Sequence, residues 1–207
     1  MTFHILLSCN PAIGQHEDAV GHLRQAASDL AGRSVDVEVY ELGAGREQSN
    51  TGRPFRFTLI ARGEQDPRSA LKSLLEAPAF HPAYRLFRLQ PISGRSPAKA
   101  GPLAPDLLQV CASALPGQDA AFEAFYEQTH FDELLAVPGF AAGQLFAVAE
   151  DQSPPDGEPH HYVSLWQLTD HALAGAELGK RRGTPALTPN AAGDRSKLDS
   201  AFYCALF

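Results

Sequence analysis

The feature that most constrains the fold is an order of strands and helices that occurs twice along the 207-residue chain. Apolar runs, period-two alternation and three-and-four spacing predict strand, helix, strand, strand, helix and strand in each half. Such a unit makes a sheet with helices on one face only, so the other face needs cover. Two fused units could supply that cover for each other, which predicts an α+β fold with an internal repeat.

The predicted elements fall into two sets joined by a proline-rich segment. In the first set, strands are expected at residues 3–9, 34–40, 55–60 and 84–89, with helices at 15–30 and 67–76 and a loop at 43–54. In the second set, strands are expected at residues 107–112, 143–149, 161–168 and 201–207, with a helix from 119 and another at 170–178. Residues 1–92 therefore form a first unit, 93–105 a linker and 106–207 a second unit. Residues 183–197, which are polar, predict a loop or flap.

The helix that opens the second unit carries the most informative residues. Phe122, Phe125 and Tyr126 recur at helical spacing, with Asp119 as the expected N-cap. His130 lies about 40° from Tyr126 on the same face, at the edge of the apolar stripe. The helix is expected to fray through residues 131–135 and to stop at Val137-Pro138-Gly139.

This stretch resembles a known superfamily. The pattern Phe122-x-x-Phe125-Tyr126-x-x-x-His130, followed by Glu133-Leu134-Leu135 and Pro138-Gly139-Phe140, resembles the dimeric α+β barrel proteins and among them the EthD-type members. The resemblance implies two fused ferredoxin-like β-α-β-β-α-β units that form within one chain the barrel other members build by dimerising. It also implies that His130 faces a pocket at the mouth of the barrel.

Two readings of His130 remain open at this stage. Imidazole titrates near neutrality and can carry a proton, with Tyr126 polarising a carbonyl or orienting the ring. Alternatively, His130 is a surface residue near a helix end and Tyr126 a core residue. Glu133, with Asp132 beside it, could orient the imidazole, although exposed carboxylates in a last helical turn are common.

A second group of candidate residues occupies one predicted strand. Period two places His160, Tyr162, Ser164 and Trp166 on one face of it, a set that is aromatic and able to form hydrogen bonds. These side chains suit the wall of a ligand pocket, together with Phe122 from the helix. They suit a solidly packed barrel interior as well.

Composition and charge exclude several classes of function. A net charge of −7 gives no basis for nucleic-acid binding. The chain's opening residues have no basic segment and too short an apolar run for a membrane span, so we expect a cytoplasmic protein without membrane contact. The chain has three cysteines, Cys9, Cys111 and Cys204, which are far apart in sequence. An odd number of cysteines at such spacing disfavours disulfides and zinc sites.

We therefore expect no metal and no cofactor. Some barrels of the superfamily bind haem, and His171 is the one histidine that could ligate it, but it has no supporting residue in sequence. The preferred function is a cofactor-independent cyclase, isomerase or monooxygenase that uses His130 on a small hydrophobic, aromatic or polyketide-like carbonyl compound. The alternative is a non-catalytic barrel that binds a small molecule or is purely structural. A homodimer could form through edge strands or the backs of the helices.

Overall fold

A computed structural model describes residues 2–49, 55–95, 105–153 and 160–207. The strands are β1 (Phe3–Pro11), β2 (Val35–Ser49), β3 (Phe57–Gly63), β4 (Phe80–Arg95), β5 (Asp106–Ala112), β6 (Phe140–Asp151), β7 (Tyr162–Leu168) and β8 (Asp199–Ala205). The helices are α1 (His16–Ala31), α2 (Arg68–Leu75), α3 (Asp119–Phe125), α4 (Phe131–Leu135) and α5 (His171–Arg181). A π-helical turn (Tyr126–His130) joins α3 to α4, and a 3-10 turn (Arg195–Lys197) precedes β8.

The eight strands form one closed antiparallel barrel in the order β1-β3-β2-β8-β5-β7-β6-β4. The first four strands of the chain are neighbours, as are the last four, and the two groups meet where β2 pairs with β8 and where β4 pairs with β6. Every strand of this described barrel is paired on both sides, so no edge remains to recruit a second molecule. The expected homodimer contact through edge strands is thus not available, and the helix backs remain the predicted route.

Most predicted elements are confirmed within a few residues, but two strands are longer than expected. β2 continues through residue 49, where Ser49 pairs with Asp199 of β8, and β4 continues to Arg95, which pairs with Gly143 of β6. The predicted loop at 43–54 and linker at 93–105 therefore begin as strand. Their other residues, 50–54 and 96–104, lie outside the described part of the chain.

The apolar residues pack in three layers. One layer lies between α1, α2 and the outer face of the first half's strands, and another between α3, α4, α5 and the outer face of the second half's strands. The third fills the barrel itself with side chains such as Leu6, Ile60, Phe87, Phe146 and Tyr203. Sheet alternation produces this arrangement, since successive side chains point to opposite faces.

The interior of the barrel also contains a buried polar cluster. The Thr58 hydroxyl donates to Gln109 at 2.8 Å and lies 3.2 Å from the Ser8 hydroxyl. Ser8 and Thr58 are both fully buried. Side chains therefore fill the centre of the barrel, which is the packed interior that the sequence left open as one of two possibilities.

A cavity of about 430 Å³ remains at one mouth of the barrel. It is polar, because Arg62 forms an ion pair with Glu38 at 3.2 Å in its wall, and Tyr40 donates to the same carboxylate. The three cysteines are free thiols. No helix among the described residues is both long and apolar enough to cross a membrane.

Candidate functional site

The larger cavity, of about 690 Å³, lies outside the barrel. Its floor is the outer face of β5, β7 and β8, its walls are α3, the π turn and α5, and its cover is the segment 183–198. The apolar part of the lining includes Leu108, Val110, Phe125, Leu134, Leu178 and Phe202. This volume is within the range of small-molecule sites, and an apolar wall is typical of them.

The position of this cavity corrects the expectation for His130. The resemblance placed the imidazole at the barrel mouth, but His130 lines the cavity between the helices and the sheet. Alternation along β7 explains the difference, because Trp166 packs with the helices while Leu165, next to it, packs inside the barrel. The sequence analysis grouped Trp166 with the other residues of one strand face. It did not show that this face points towards the helices and not into the barrel.

The helix that carries His130 starts differently from the prediction. Asp119 is its first residue, and the N-cap is Gln118, which makes no side-chain cap. The Asp119 carboxylate instead accepts a hydrogen bond from the Tyr162 hydroxyl at 3.0 Å. The predicted fraying is also wrong, since α4 is helical through Leu135. The expected reversal is confirmed at Gly139, which has a φ of +96°.

The π turn sets the direction of the residues that follow it. In a regular α-helix, at about 100° per residue, Phe131 would face away from Phe122. A π-helical turn advances by only about 80° per residue. Its five residues therefore turn the residues that follow by roughly 90° relative to their direction in a regular α-helix. Phe131 and Leu134 consequently reach the same core as Phe122, and both are buried. The turn itself presents His130 to the cavity, and π turns are frequent at functional sites.

Aromatic rings surround the imidazole of His130. Its centroid lies 4.9 Å from Tyr126 and 5.8 Å from Trp166, both edge to face, and 5.2 Å from Phe125. Burial lowers the pKa of His130 to about 4, and the negative charge of Glu133 offsets only part of that shift. Its Nδ1 atom is buried and has no hydrogen-bond partner in the described part of the chain. The ring is therefore neutral at pH 7.

Tyr126 and Trp166 are fixed by one hydroxyl. Ser164 Oγ accepts a hydrogen bond from Trp166 Nε1 at 3.1 Å and lies 3.3 Å from the Tyr126 hydroxyl. Burial raises the pKa of Tyr126, so the phenol stays protonated. Ser164 acts from behind the wall as a positioning residue, while Tyr126 and Trp166 line the cavity. The Tyr126 hydroxyl therefore points to Ser164, and Tyr126 contacts His130 through its aromatic ring.

Replacing Ser164 with alanine is expected to lower the free energy of unfolding by about 2 kcal/mol. The variant leaves the Tyr126 hydroxyl and the Trp166 indole N–H without their shared partner in a buried site. Urea unfolding at pH 7 measures the loss. Ser28→Ala, at an exposed position in α1, is the matched control, and a loss no larger than in that control would contradict the role of Ser164.

Of the other predicted residues, Phe122 lines the cavity and Tyr162 stands behind it. The Tyr162 ring stacks on Phe122 at 4.5 Å, and its hydroxyl donates to Asp119 and to Glu123, each at 3.0 Å. Tyr162 therefore supports the wall and does not form it.

The sequence analysis missed the polar residues of the cover and of the adjoining end of α5. Arg182, Asn190 and Arg195 line the cavity, and Asn190 Nδ2 is buried without a partner among the described residues. Asn190 Oδ1 accepts from the Ala192 amide at 3.0 Å, which orients the side-chain amide. The segment 183–197 is a loop as predicted, but its composition did not indicate that Ala192 is buried. The only available signal was its length as an insertion.

Glu133 binds the cover of the cavity. Its carboxylate accepts hydrogen bonds from the Thr188 amide at 3.0 and 3.1 Å and from the Thr188 hydroxyl. Among the described residues no hydrogen bond joins Glu133 to His130, and the carboxylate acts on the imidazole only through its charge. Glu133 holds segment 183–198 over the cavity instead.

We expect Glu133→Gln to loosen this segment. Loss of the charge weakens the bonds to Thr188 by about 1 kcal/mol, which corresponds to about fivefold faster tryptic cleavage after Arg182 or Arg195. Mass spectrometry of timed digests measures the cleavage. Glu127→Gln is the control, because Glu127 pairs with Arg95 and not with the cover. Equal cleavage rates in both variants would contradict the assignment.

His171, the histidine considered for haem, lies in neither cavity. Its Nδ1 is 2.8 Å from the Asp106 carboxylate. Because the Asp106 carboxylate binds that nitrogen and neither described cavity includes His171, no step proposed for this protein uses haem.

Comparison with known proteins identifies the fold. No family model matches the chain, and no curated protein matches it. A solved structure described as an anthrone oxidase-like protein is 15% identical, with a TM-score of 0.64 over 100% of this chain and 91% of that one. A protein from Lactobacillus acidophilus provisionally described as a monooxygenase is 7% identical, with a TM-score of 0.55 over 98% and 93%.

A third similar structure is a variant of chlorite dismutase from Candidatus Nitrospira defluvii. It is 8% identical, with a TM-score of 0.56 over 97% of this chain and 91% of that one. At such identities the similarity concerns the fold and not the chemistry. Together with the closed eight-stranded barrel, it shows that this chain has the dimeric α+β barrel fold.

Proposed function

We propose that this protein is a cofactor-independent enzyme that removes a proton next to the carbonyl group of a flat, hydrophobic aromatic or polyketide-like compound. The observation that carries the proposal is a neutral imidazole, that of His130, with an unpartnered buried Nδ1, in the wall of an apolar cavity of about 690 Å³. The likeness to an anthrone oxidase-like protein supports this class of substrate at the level of the fold.

The reaction begins with transfer of a proton to the imidazole. The C–H bond breaks, its electron pair enters the carbonyl system as an enolate, and His130 becomes an imidazolium. The enolate charge favours the imidazolium, so the pKa of His130 rises as the ion pair forms. Arg182 and Arg195 line the same cavity and add positive potential where the enolate develops.

Two outcomes can follow from the enolate. Return of the proton to another carbon completes an isomerisation or cyclisation. Alternatively, dioxygen takes up the electrons; for an anthrone, one molecule of dioxygen converts the methylene group to a carbonyl, with one molecule of water as the other product. Both outcomes require the first proton transfer, which therefore provides the test.

Anthrone is the probe for that test. Under argon in D2O, we expect the wild-type protein to accelerate deuterium exchange at the methylene group of anthrone, as followed by proton NMR. His130→Gln should lower the catalysed rate by about 10²- to 10⁴-fold. His22→Gln, at an exposed histidine of α1, should retain it.

Each other result has a definite meaning. Unchanged exchange in His130→Gln would remove His130 from the mechanism. Binding of anthrone, seen as a change in Trp166 fluorescence, without exchange would favour the alternative of a non-catalytic small-molecule-binding barrel, and mass spectrometry would then recover the ligand intact. The absence of both anthrone binding and deuterium exchange in the wild-type protein would overturn the proposed class of substrate.

We also infer that the chain consists of two fused ferredoxin-like units, residues 1–92 and 106–207, of which only the second, EthD-like unit has a reactive site. The strand orders β4-β1-β3-β2 and β8-β5-β7-β6 support this, because they are the same when each half is counted from its own first strand. In α1 the corresponding histidine, His22, is exposed. The substrate is then bound by one half of the barrel.

A further inference from the structure

A second cluster of reactive side chains lies outside both cavities, at the start of α5. Asp106 is the first residue of β5, His171 is the first residue of α5, and Cys204 lies near the end of β8. His171 Nδ1 is 2.8 Å from the Asp106 carboxylate and 3.5 Å from Cys204 Sγ. One ligand atom from each of the three residues lies within 4.8 Å of the other two.

The backbone holds these three residues together. Asp106 pairs directly with Cys204 in the antiparallel register of β5 and β8. The backbone amide of His171 donates to the Asp106 carboxylate at 2.9 Å. Asp170 caps α5 by accepting from the Leu173 amide, which fixes the first turn of the helix. The cluster is therefore positioned by two strands and a helix terminus, not by mobile side chains alone.

We propose that Asp106, His171 and Cys204 bind a divalent transition-metal ion of the zinc type. Zinc bonds of about 2.0–2.1 Å to nitrogen and 2.3 Å to sulfur at a tetrahedral angle hold those two atoms about 3.6 Å apart. The observed separation of Sγ and Nδ1 is 3.5 Å. The carboxylate oxygen needs to move about 0.5 Å further from Nδ1 to complete the geometry.

The kinds of ligand select the metal. A thiolate and an imidazole favour zinc or cobalt over magnesium and calcium, which prefer oxygen ligands alone. Three protein ligands leave a fourth position for water. An ideal Cβ on Gly43 would lie 3.4 Å from both Cys204 Sγ and His171 Nε2. The Phe202 carbonyl oxygen would be closer still, at 3.2 Å, so a side chain at this position would crowd the cluster.

The same three residue types could instead form a nucleophilic triad, but the geometry disfavours it. In such a triad the acid and the thiol contact opposite ring nitrogens. Here both approach Nδ1, and Nε2 is 4.0 Å from the sulfur.

The test is cobalt binding to the whole protein after removal of metals with a chelator. Binding of one Co²⁺ per chain should produce a sulfur-to-cobalt charge-transfer band in the near ultraviolet. Added Zn²⁺ should displace the cobalt ion and remove the band. Cys204→Ser should abolish the band, and His171→Gln should weaken binding by at least about 100-fold. Cys9→Ala, at a buried thiol of β1 outside the cluster, should retain both the charge-transfer band and the affinity for cobalt.

The wild-type titration tests the proposal without any variant, so a misfolded variant does not obscure it. Absence of the charge-transfer band in the wild-type protein overturns the proposal, as does a band that persists in Cys204→Ser. Circular dichroism establishes that each variant is folded. No residue of the cluster lines the cavity of His130, so this result is independent of the proposed enzymatic function.

Discussion

Replacing Gly143 with alanine is expected to displace the indole of Trp166 and to lower the free energy of unfolding by about 3 kcal/mol. An ideal Cβ on Gly143 would lie 2.4 Å from two ring carbons of Trp166, a distance that no real side chain tolerates. Trp166 is fully buried and Ser164 holds its N–H, so the ring cannot move aside cheaply. Overpacking of this kind typically costs about 1–3 kcal/mol.

Trp166 is the only tryptophan of the chain, so its fluorescence reports on the displacement directly. We expect a shifted emission maximum in Gly143→Ala together with a lower urea midpoint. Gly21→Ala is the control, because nothing lies within 4 Å of a Cβ at that position in α1. That variant should gain about 0.5–1 kcal/mol from the better helix propensity of alanine. An unshifted emission spectrum in Gly143→Ala would contradict the packing described for Trp166.

Acidification from pH 7 to pH 4 is expected to remove as much as about 3 kcal/mol of stability through His130 alone. The folded pKa of about 4 lies below the unfolded value of 6.5, so the unfolded chain binds the proton first. The stabilising contribution is present above pH 6.5 and is lost as the pH falls through 4, below which the loss levels off. A shift of one pKa unit corresponds to about 1.4 kcal/mol, which sets the upper limit.

The measurement is the free energy of unfolding across this pH range for the wild-type protein and for His130→Gln. Burial also lowers the pKa of His4, so the wild-type slope alone does not isolate His130, whereas the difference between the two proteins does. The edge contact between Trp166 and His130 adds a local readout, because tryptophan emission should change with protonation near pH 4. Equal slopes in both proteins would mean that His130 is already solvated.

Local patterns predicted the elements well, and the reasons are physical. Period-two alternation at residues 34–40 and helical spacing at 15–30 reflect one buried face each, which a sequence records directly. The ends of β2 and β4 depend on pairing with β8 and β6 from the other half of the chain, so local composition with Gly, Ser and Pro misidentified them as loops. The register between strands of different halves is set by the tertiary fold, so the local sequence does not record it.

The site was only partly predictable for the same reason. Helical spacing placed His130 beside Tyr126, and period two placed Trp166 on one strand face with Ser164, but only the structure brings the helix and the strand together, with the rings of Tyr126 and Trp166 against His130. Which side of the sheet holds the cavity depends on how side chains fill the barrel, and that is a matter of summed volumes. The cluster of Asp106, His171 and Cys204 joins positions far apart in sequence, with none of the short ligand spacings that a motif search detects.

The π turn accommodates one residue more than a regular α-helix would need between Phe122 and Phe131. Deleting one residue from Tyr126–His130 would allow an uninterrupted α-helix with almost unchanged composition. Eight steps of about 100° would still bring Phe131 to about 80° from Phe122, so Phe131 would keep its contact with Trp166 in the core. The extra residue is therefore dispensable for core packing, and what it changes is the segment that presents His130 to the cavity.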